Sequence, residues 1–426
     1  MHGTEADYDD LLARVGESRI VLLGEASHGS HEFYAERDCI TRRLIEEKGF
    51  TAIAVEADWP DAYRVNRYVL GASQDTDANA ALGGFQRFPA WMWRNEDATR
   101  VVAWLRAYNQ SVSHRKRVHF YGLDLYSLRA SMEAVISYLD SVDADAADEA
   151  RRRYSCFDQV RGEGPEYGHA VSLDLILPCE REVVAELESL RRRAAAILSR
   201  DGERAEDEFF YAEQNARLVH NAERYYRAMY HGRISSWNLR DQHMAATLAA
   251  LVQNLDRRAS PAKVVVWEHN SHVGDARATE LGWSGELNVG QLVRKAWSNH
   301  AFIVGFTTYD GEVTAASEWG GPAERKVVRP ALEGSYEHLF HQTGVSRFVI
   351  PFGSGTPPLL RSSRLERAIG VIYRPRTERQ SHWFKARMPD QFDAVVHIDH
   401  TEAVVPLERT SVWDMGEPPE TYPSGL

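Results

Sequence analysis

Cysteine is scarce in this chain: Cys39, Cys156 and Cys179 are the only three in 426 residues. They are too few and too scattered for a disulfide framework, and no Cys-x-x-Cys pair exists to suggest a thiolate metal site. Basic charge is short as well, with 50 Lys and Arg against 62 Asp and Glu and a formal net charge of -12. That balance argues against a broad nucleic-acid footprint. No apolar run reaches the ~18 residues a membrane span needs, and the opening MHGTEADYDD lacks a basic-then-apolar signal pattern. The expectation is a cytoplasmic chain without nucleic-acid or membrane partners.

Several familiar signatures are missing too. The absence of a Gly-x-Ser-x-Gly elbow argues against an ordinary serine α/β-hydrolase. The Rossmann Gly-x-Gly-x-x-Gly spacing, a phosphate loop ending in Gly-Lys-Ser or Gly-Lys-Thr, and a His-Glu-x-x-His zinc helix are all absent. No cofactor is expected, and no metal is assigned.

What is present is an apolar fraction of 43%, enough for an extensive core. The length exceeds the usual size of a single core. Residues 19–24 read as a buried-type strand, 30–48 as a helix stopped by Gly49, and 51–56 as a second strand, which makes one right-handed βαβ unit. A third short strand is expected at 118–123. Residues 128–200 and 203–254 carry helical spacing rich in Ala, Glu and Arg. Strands return at 263–267, 301–307, 347–351, 370–373 and 392–398. The fold class is therefore α/β, a mostly parallel central sheet flanked by helices with a large helical insertion or subdomain. The expected division is an N-terminal part of the α/β core at 1–127, a mainly helical insertion or lid at 128–260, a C-terminal part of the core at 261–410, and a tail at 411–426.

Several apolar strands end in charged or imidazole groups. LLGEASH carries Glu25 and His28, AIAVEADW carries Glu56 and Asp58, HFYGLDLY carries Asp124 and Tyr126, and VVVWEHNSH carries Glu268, His269 and His272. Packing needs none of them, and burying them unmet would cost several kcal/mol each. One polar cleft along the carboxyl edge of the sheet accounts for them together, at the edge where open α/β sheets keep their ligands. Arg37, on the helix after His28, is either a counter-ion for Glu25 or Glu56 or a binder of a substrate anion or oxyanion. Trp59, Tyr63, Trp91, Trp93, Asp124, Tyr126 and Arg277 are candidates to line a substrate pocket, the aromatic ones equally able to cover the core.

GEASHGSHEF with Arg37, AVEADWP, YGLDLYS, WEHNSHVGDAR and GFTTYDG, in that order, resemble the successive motifs of the erythromycin esterase family. The resemblance runs from about Val15 to Leu407 and points to a broad bacterial subgroup of unassigned substrate. It implies hydrolysis of an ester or lactone, with His28 as the base that activates water and Glu25, Arg37, Glu56, His269 and His272 at the other active-site positions. It also implies catalysis without a bound metal.

On that footing Glu25 or Glu56 orients His28, while His269, His272 or Arg37 donates to the oxyanion. The partner is a small-molecule ester or lactone, and the protein is a monomer or homodimer. Two alternatives stand beside this one. One is a metal-dependent hydrolase using Glu25, His28, Glu56, His269 and His272 as ligands. The other is a non-catalytic small-molecule binding or biosynthetic accessory protein.

Overall fold

The computed structural model describes residues 5–160, 162, 164–257 and 261–416, so the expected frayed end at 418–426 lies outside the described residues. The strands are β1 (Ile20–Leu23), β2 (Ala52–Asp58), β3 (His119–Asp124), β4 (Val264–Trp267), β5 (Ala301–Ala315), β6 (Glu324–Val328), β7 (Arg347–Pro351), β8 (Arg364–Arg367), β9 (Trp383–Ala386) and β10 (Ala394–Thr401). Eight of them form one sheet in the order β3-β2-β4-β1-β5-β10-β7, with β6 beside β5. β1 runs parallel to β4 and β5, aligning Ile20 with Val264 and Ala301. β10 is parallel to β5, while β7 and β6 pair antiparallel with β10 and β5. The fold is thus a mixed, mostly parallel sheet flanked by helices, with a large helical subdomain.

β1 and β4 show why the centre is parallel. Every residue of IVLL and VVVW is buried, so neither strand has a face for water, as expected of strands covered on both sides. The helix His31–Lys48 follows β1 and ends at Gly49, whose left-handed backbone (φ 71°) lets its N–H return to the Leu44 carbonyl.

The chain divides into two compact units. The first comprises Met1–Ala54, Val65–Phe120 and Pro261–Leu426; the second comprises Val55–Arg64 and Tyr121–Ser260. The second unit contains the helices Leu128–Val142, Ala144–Tyr154, Gly164–Ser172 and Arg233–Asp256 and the helical run Glu180–Ala228. That 49-residue run is not one straight rod. Arg227 pairs with Glu180 and Arg191 with Glu213, whereas a straight helix rising ~1.5 Å per residue would hold the first pair roughly 70 Å apart. Its two halves run antiparallel.

Some elements differ from the sequence reading. Residues 370–373 form no strand; Ile369 and Ile372 make only isolated bridges, to Ser27 and Ala316. The unexpected β6 and the β8–β9 hairpin are built from ERKVV, RLER and WFKA. Charged side chains interrupt the apolar signal there, and four or five residues are too short for alternation to register. Cys156 and Cys179 form a disulfide across 23 residues of sequence. Sequence spacing alone does not disclose such a pairing.

Burial pushes the imidazoles of His243, His382 and His397 down to about 4. An unfolded histidine titrates near 6.5, so each neutral ring contributes fully above that pH and loses its contribution as pH falls towards 4. At pH 5 the loss is about 2 kcal/mol per residue. In an NMR titration of the folded protein all three rings should therefore stay neutral at pH 5; a ring titrating near the ordinary value of about 6.5 would contradict the burial account.

Candidate active site

In the first unit the site begins where β1 ends. Parallel neighbours present their carboxyl ends at the same edge, so Glu25, just past β1, and His269, just past β4, come out side by side. The backbone continues the pairing beyond the strands: the Glu268 N–H donates to the Leu23 carbonyl at 3.4 Å and the Asn270 N–H to the Glu25 carbonyl at 2.8 Å. The Asn270 amide then donates to the Phe306 carbonyl at 2.7 Å and accepts from the Phe306 N–H at 3.2 Å, tying this turn to β5. Gly24 makes room for it, because a Cβ there would stand 2.1 Å from Asn270 Oδ1.

His28 Nδ1 lies 2.9 Å from Glu25 Oε1, and Arg37 Nη2 donates to Glu25 Oε2 at 2.5 Å. All three side chains are buried. Arg37 also donates from Nε to the Phe33 carbonyl, and its guanidinium lies 4.7 Å from the ring centres of both Tyr34 and Trp267. It is buried and ion-paired with Glu25.

The His28 and His269 rings are 4.9 Å apart. Their neighbours set opposite tautomers. His28 Nδ1 faces a carboxylate, so it carries the proton and the lone pair sits on Nε2. His269 Nδ1 accepts from the Ser271 N–H at 3.2 Å, so in the neutral ring the proton sits on Nε2. The Ser271 carbonyl is held in turn by Asn288 Nδ2 at 2.9 Å. One imidazole is poised to accept a proton beside another poised to donate a hydrogen bond. His272 is buried on the short helix Asn270–Val273, its backbone N–H donating to the His269 carbonyl.

The turn after His28 is locked from outside. Thr314 and Val404 both donate backbone N–H groups to the Gly29 carbonyl, at 3.0 and 2.9 Å. A Cβ on Gly29 would stand 1.9 Å from the Thr314 backbone oxygen.

Glu56 and Asp124 belong to the second unit, where both meet Arg240. Arg240 Nη2 donates to Glu56 Oε1 at 2.6 Å and to Asp124 Oδ2 at 2.7 Å, and its Nε donates to Asp124 Oδ1 at 3.0 Å. Its guanidinium lies 5.0 Å from the ring centre of Tyr126, whose hydroxyl meets that of Tyr225 at 3.1 Å. Sequence reasoning missed Arg240. It sits inside a helix of mixed composition, 184 and 116 residues along the chain from the carboxylates it meets, so no local signal marks it.

The aromatic candidates are mostly packed. Trp59 is buried, stacked on Tyr121 with ring centres 5.5 Å apart. Tyr63 stacks on Tyr211 at 3.9 Å. Trp91 and Trp93 are buried, the latter edge-on to Tyr34 and Phe120. Arg277 is largely exposed and forks onto Asp275, at 2.9 and 2.6 Å.

The sequence profile of the erythromycin esterases matches residues 45–401. The chain belongs to the erythromycin esterase family. The matched stretch begins beyond Glu25, His28 and Arg37. A longer alignment, with "Erythromycin esterase type II" of Escherichia coli, covers 92% of each chain at 23% identity. Among solved structures, a succinoglycan biosynthesis protein aligns with a TM-score of 0.73 at 20% identity, covering 95% of this chain and 93% of its own. A mutant erythromycin esterase in its open conformation aligns with a TM-score of 0.68 at 17% identity, covering 93% and 94%. At these identities the solved structures speak for the fold alone. Membership of the erythromycin esterase family makes the chain a hydrolase-family protein.

Replacing Gly29 with Ala should cost about 3 kcal/mol, because the overlap is with backbone that cannot swing aside. Urea unfolding measures this; a stability within experimental error of wild type would show that the turn is not clamped as described.

Proposed function

We propose that this protein hydrolyses an ester or lactone bond of an organic small molecule, with His28 as the base that activates water. The observation that carries the reading is the pair of Nδ1 contacts: His28 Nδ1 on Glu25, and His269 Nδ1 on the Ser271 N–H and, at 2.8 Å, the Ser271 hydroxyl; the opposed tautomers are what these contacts imply. As the water oxygen attacks the carbonyl, its proton passes to His28 Nε2, and Glu25 stabilises the resulting imidazolium. Arg37 pairs with Glu25 in a buried setting. His269 Nε2–H is the oxyanion donor, a contribution of about 3 kcal/mol when correctly placed. Collapse of the tetrahedral intermediate breaks the C–O bond, and the imidazolium returns its proton to the leaving alkoxide. This assignment takes Glu25 as the orienting carboxylate and gives Arg37 no contact with the substrate.

As metal ligands the same residues fit less well. Glu25 shares its carboxylate with Arg37, and a guanidinium beside a ligand oxygen opposes a cation at that place. Among the described residues, no group of three or more His, Cys, Asp or Glu side chains is disposed to hold a metal ion. Also among the described residues, no helix is long and apolar enough to cross a membrane. Cytoplasmic residence is part of the proposal, although the Cys156–Cys179 bond is a feature more common outside that compartment.

The test is a product-resolved screen over macrolides, simpler lactones and aryl esters, run with and without a chelator. His28→Ala should abolish turnover of the best substrate while near-ultraviolet circular dichroism stays unchanged. His269→Ala should lower kcat about 100-fold with little change in KM. Full activity in folded His28→Ala would end the mechanism. Chelator-sensitive turnover with stoichiometric metal would replace it with a metal-dependent one, and tight binding without product would favour an accessory role.

A further inference from the structure

We infer that Tyr34 is a positioning residue of the site, one side chain that fixes both the base and the cation behind its carboxylate; this rests on the reading of His28 given above. Its hydroxyl lies 3.0 Å from the His28 carbonyl and 2.7 Å from the Met92 carbonyl. The Arg37 guanidinium lies over the Tyr34 ring and over the ring of Trp267, each ring centre 4.7 Å away. Tyr34 is 1% exposed. Burial, reinforced by Glu25, pushes its phenol well above the ordinary tyrosine range, so it remains a donor throughout the working pH range.

The geometry divides Arg37's surroundings cleanly. In its plane, Nε and Nη2 are spent on the Phe33 carbonyl and Glu25. Both the Tyr34 and the Trp267 ring lie within cation–π reach of the Arg37 Cζ, supplying attraction in a buried setting. Trp267 is fixed in its own position because its Nε1–H donates to Thr41 Oγ1 at 2.9 Å. Tyr34, Arg37 and Thr41 occur at i, i+3 and i+7, on one face of the helix His31–Lys48. That face is a single brace: it holds Arg37 on Glu25, and Glu25 holds the His28 tautomer. A phenylalanine would fill the same volume. Only the hydroxyl reaches the backbone of His28.

Two substitutions separate these functions. Tyr34→Phe keeps the ring over Arg37 and loses the bond to His28; Tyr34→Leu loses both. With 4-nitrophenyl acetate as probe, kcat should fall about 5-fold in Tyr34→Phe, the worth of one hydrogen bond. In Tyr34→Leu it should fall about 100-fold, with KM within about 2-fold of wild type in each. Nitrogen-15 NMR of histidine-labelled protein should show His28 wholly as the Nδ1–H tautomer in the wild type. Tyr34→Leu should give mixed tautomers, largely restored in Tyr34→Phe, a change that loss of packing alone would not produce. An unchanged His28 tautomer in folded Tyr34→Leu overturns the inference, whatever the turnover. Should Tyr34→Leu fail to fold, wild-type kcat in Tyr34→Phe overturns it. Equal turnover by wild type and His28→Asn would instead defeat the base assignment, leaving the tautomer measurement to decide the role of Tyr34.

Discussion

The candidate site depends on a buried ion pair, Arg37 with Glu25. Taking a carboxylate and a guanidinium out of water costs several kcal/mol each, and the attraction between them recovers this only when the geometry is good and the remaining donors are met. Here the second Glu25 oxygen goes to His28, and the guanidinium lies over the rings of Tyr34 and Trp267. Remove one member and the others are left charged in a dry setting. The strand-end turn, the first helix and β4 are all committed to one arrangement of side chains.

The second unit solves a similar problem in a related way. Glu56 and Asp124 also leave apolar strands, and both are met by one arginine, Arg240, lying over a tyrosine ring. In both units a carboxylate is paired with a guanidinium that itself lies over an aromatic ring. The difference lies in what else the carboxylate holds. Glu25 also directs an imidazole, so its placement has a chemical consequence beyond neutralising charge.

Much of this was legible in the chain because strand ends are where apolar and polar requirements collide. An unbroken IVLL or VVVW followed by Glu or His marks both the strand and the edge at which it stops. What stayed hidden were the residues whose roles are perpendicular to the pattern. Tyr34 and Trp267 read as ordinary core aromatics, since an apolar ring against a helix gives no hint that a cation lies over it. Arg240 sits in a helix where any arginine looks solvated. Arg37 left two readings open, counter-ion or substrate clamp; its burial against Glu25, Tyr34 and Trp267 supports the first. The peripheral strands were also obscure: in ERKVV, beside β5, and in WFKA, in the separate β8–β9 pair, the backbone pairs, but the side chains do not alternate long enough to announce it.

The parallel alignment of β1 has a consequence for the order in which the protein can form. Ile20 pairs with Val264 and Ala301, so the first strand made waits for partners that emerge only after the whole helical unit has been synthesised. Its apolar faces must be sheltered meanwhile, and such late, long-range pairing is slow and prone to association between chains. Glu25, His28 and Arg37 are all present early, yet His269 and Trp267 reach them only with β4. A chain stalled before β4 therefore contains His28 without His269 and Arg37 without the ring of Trp267.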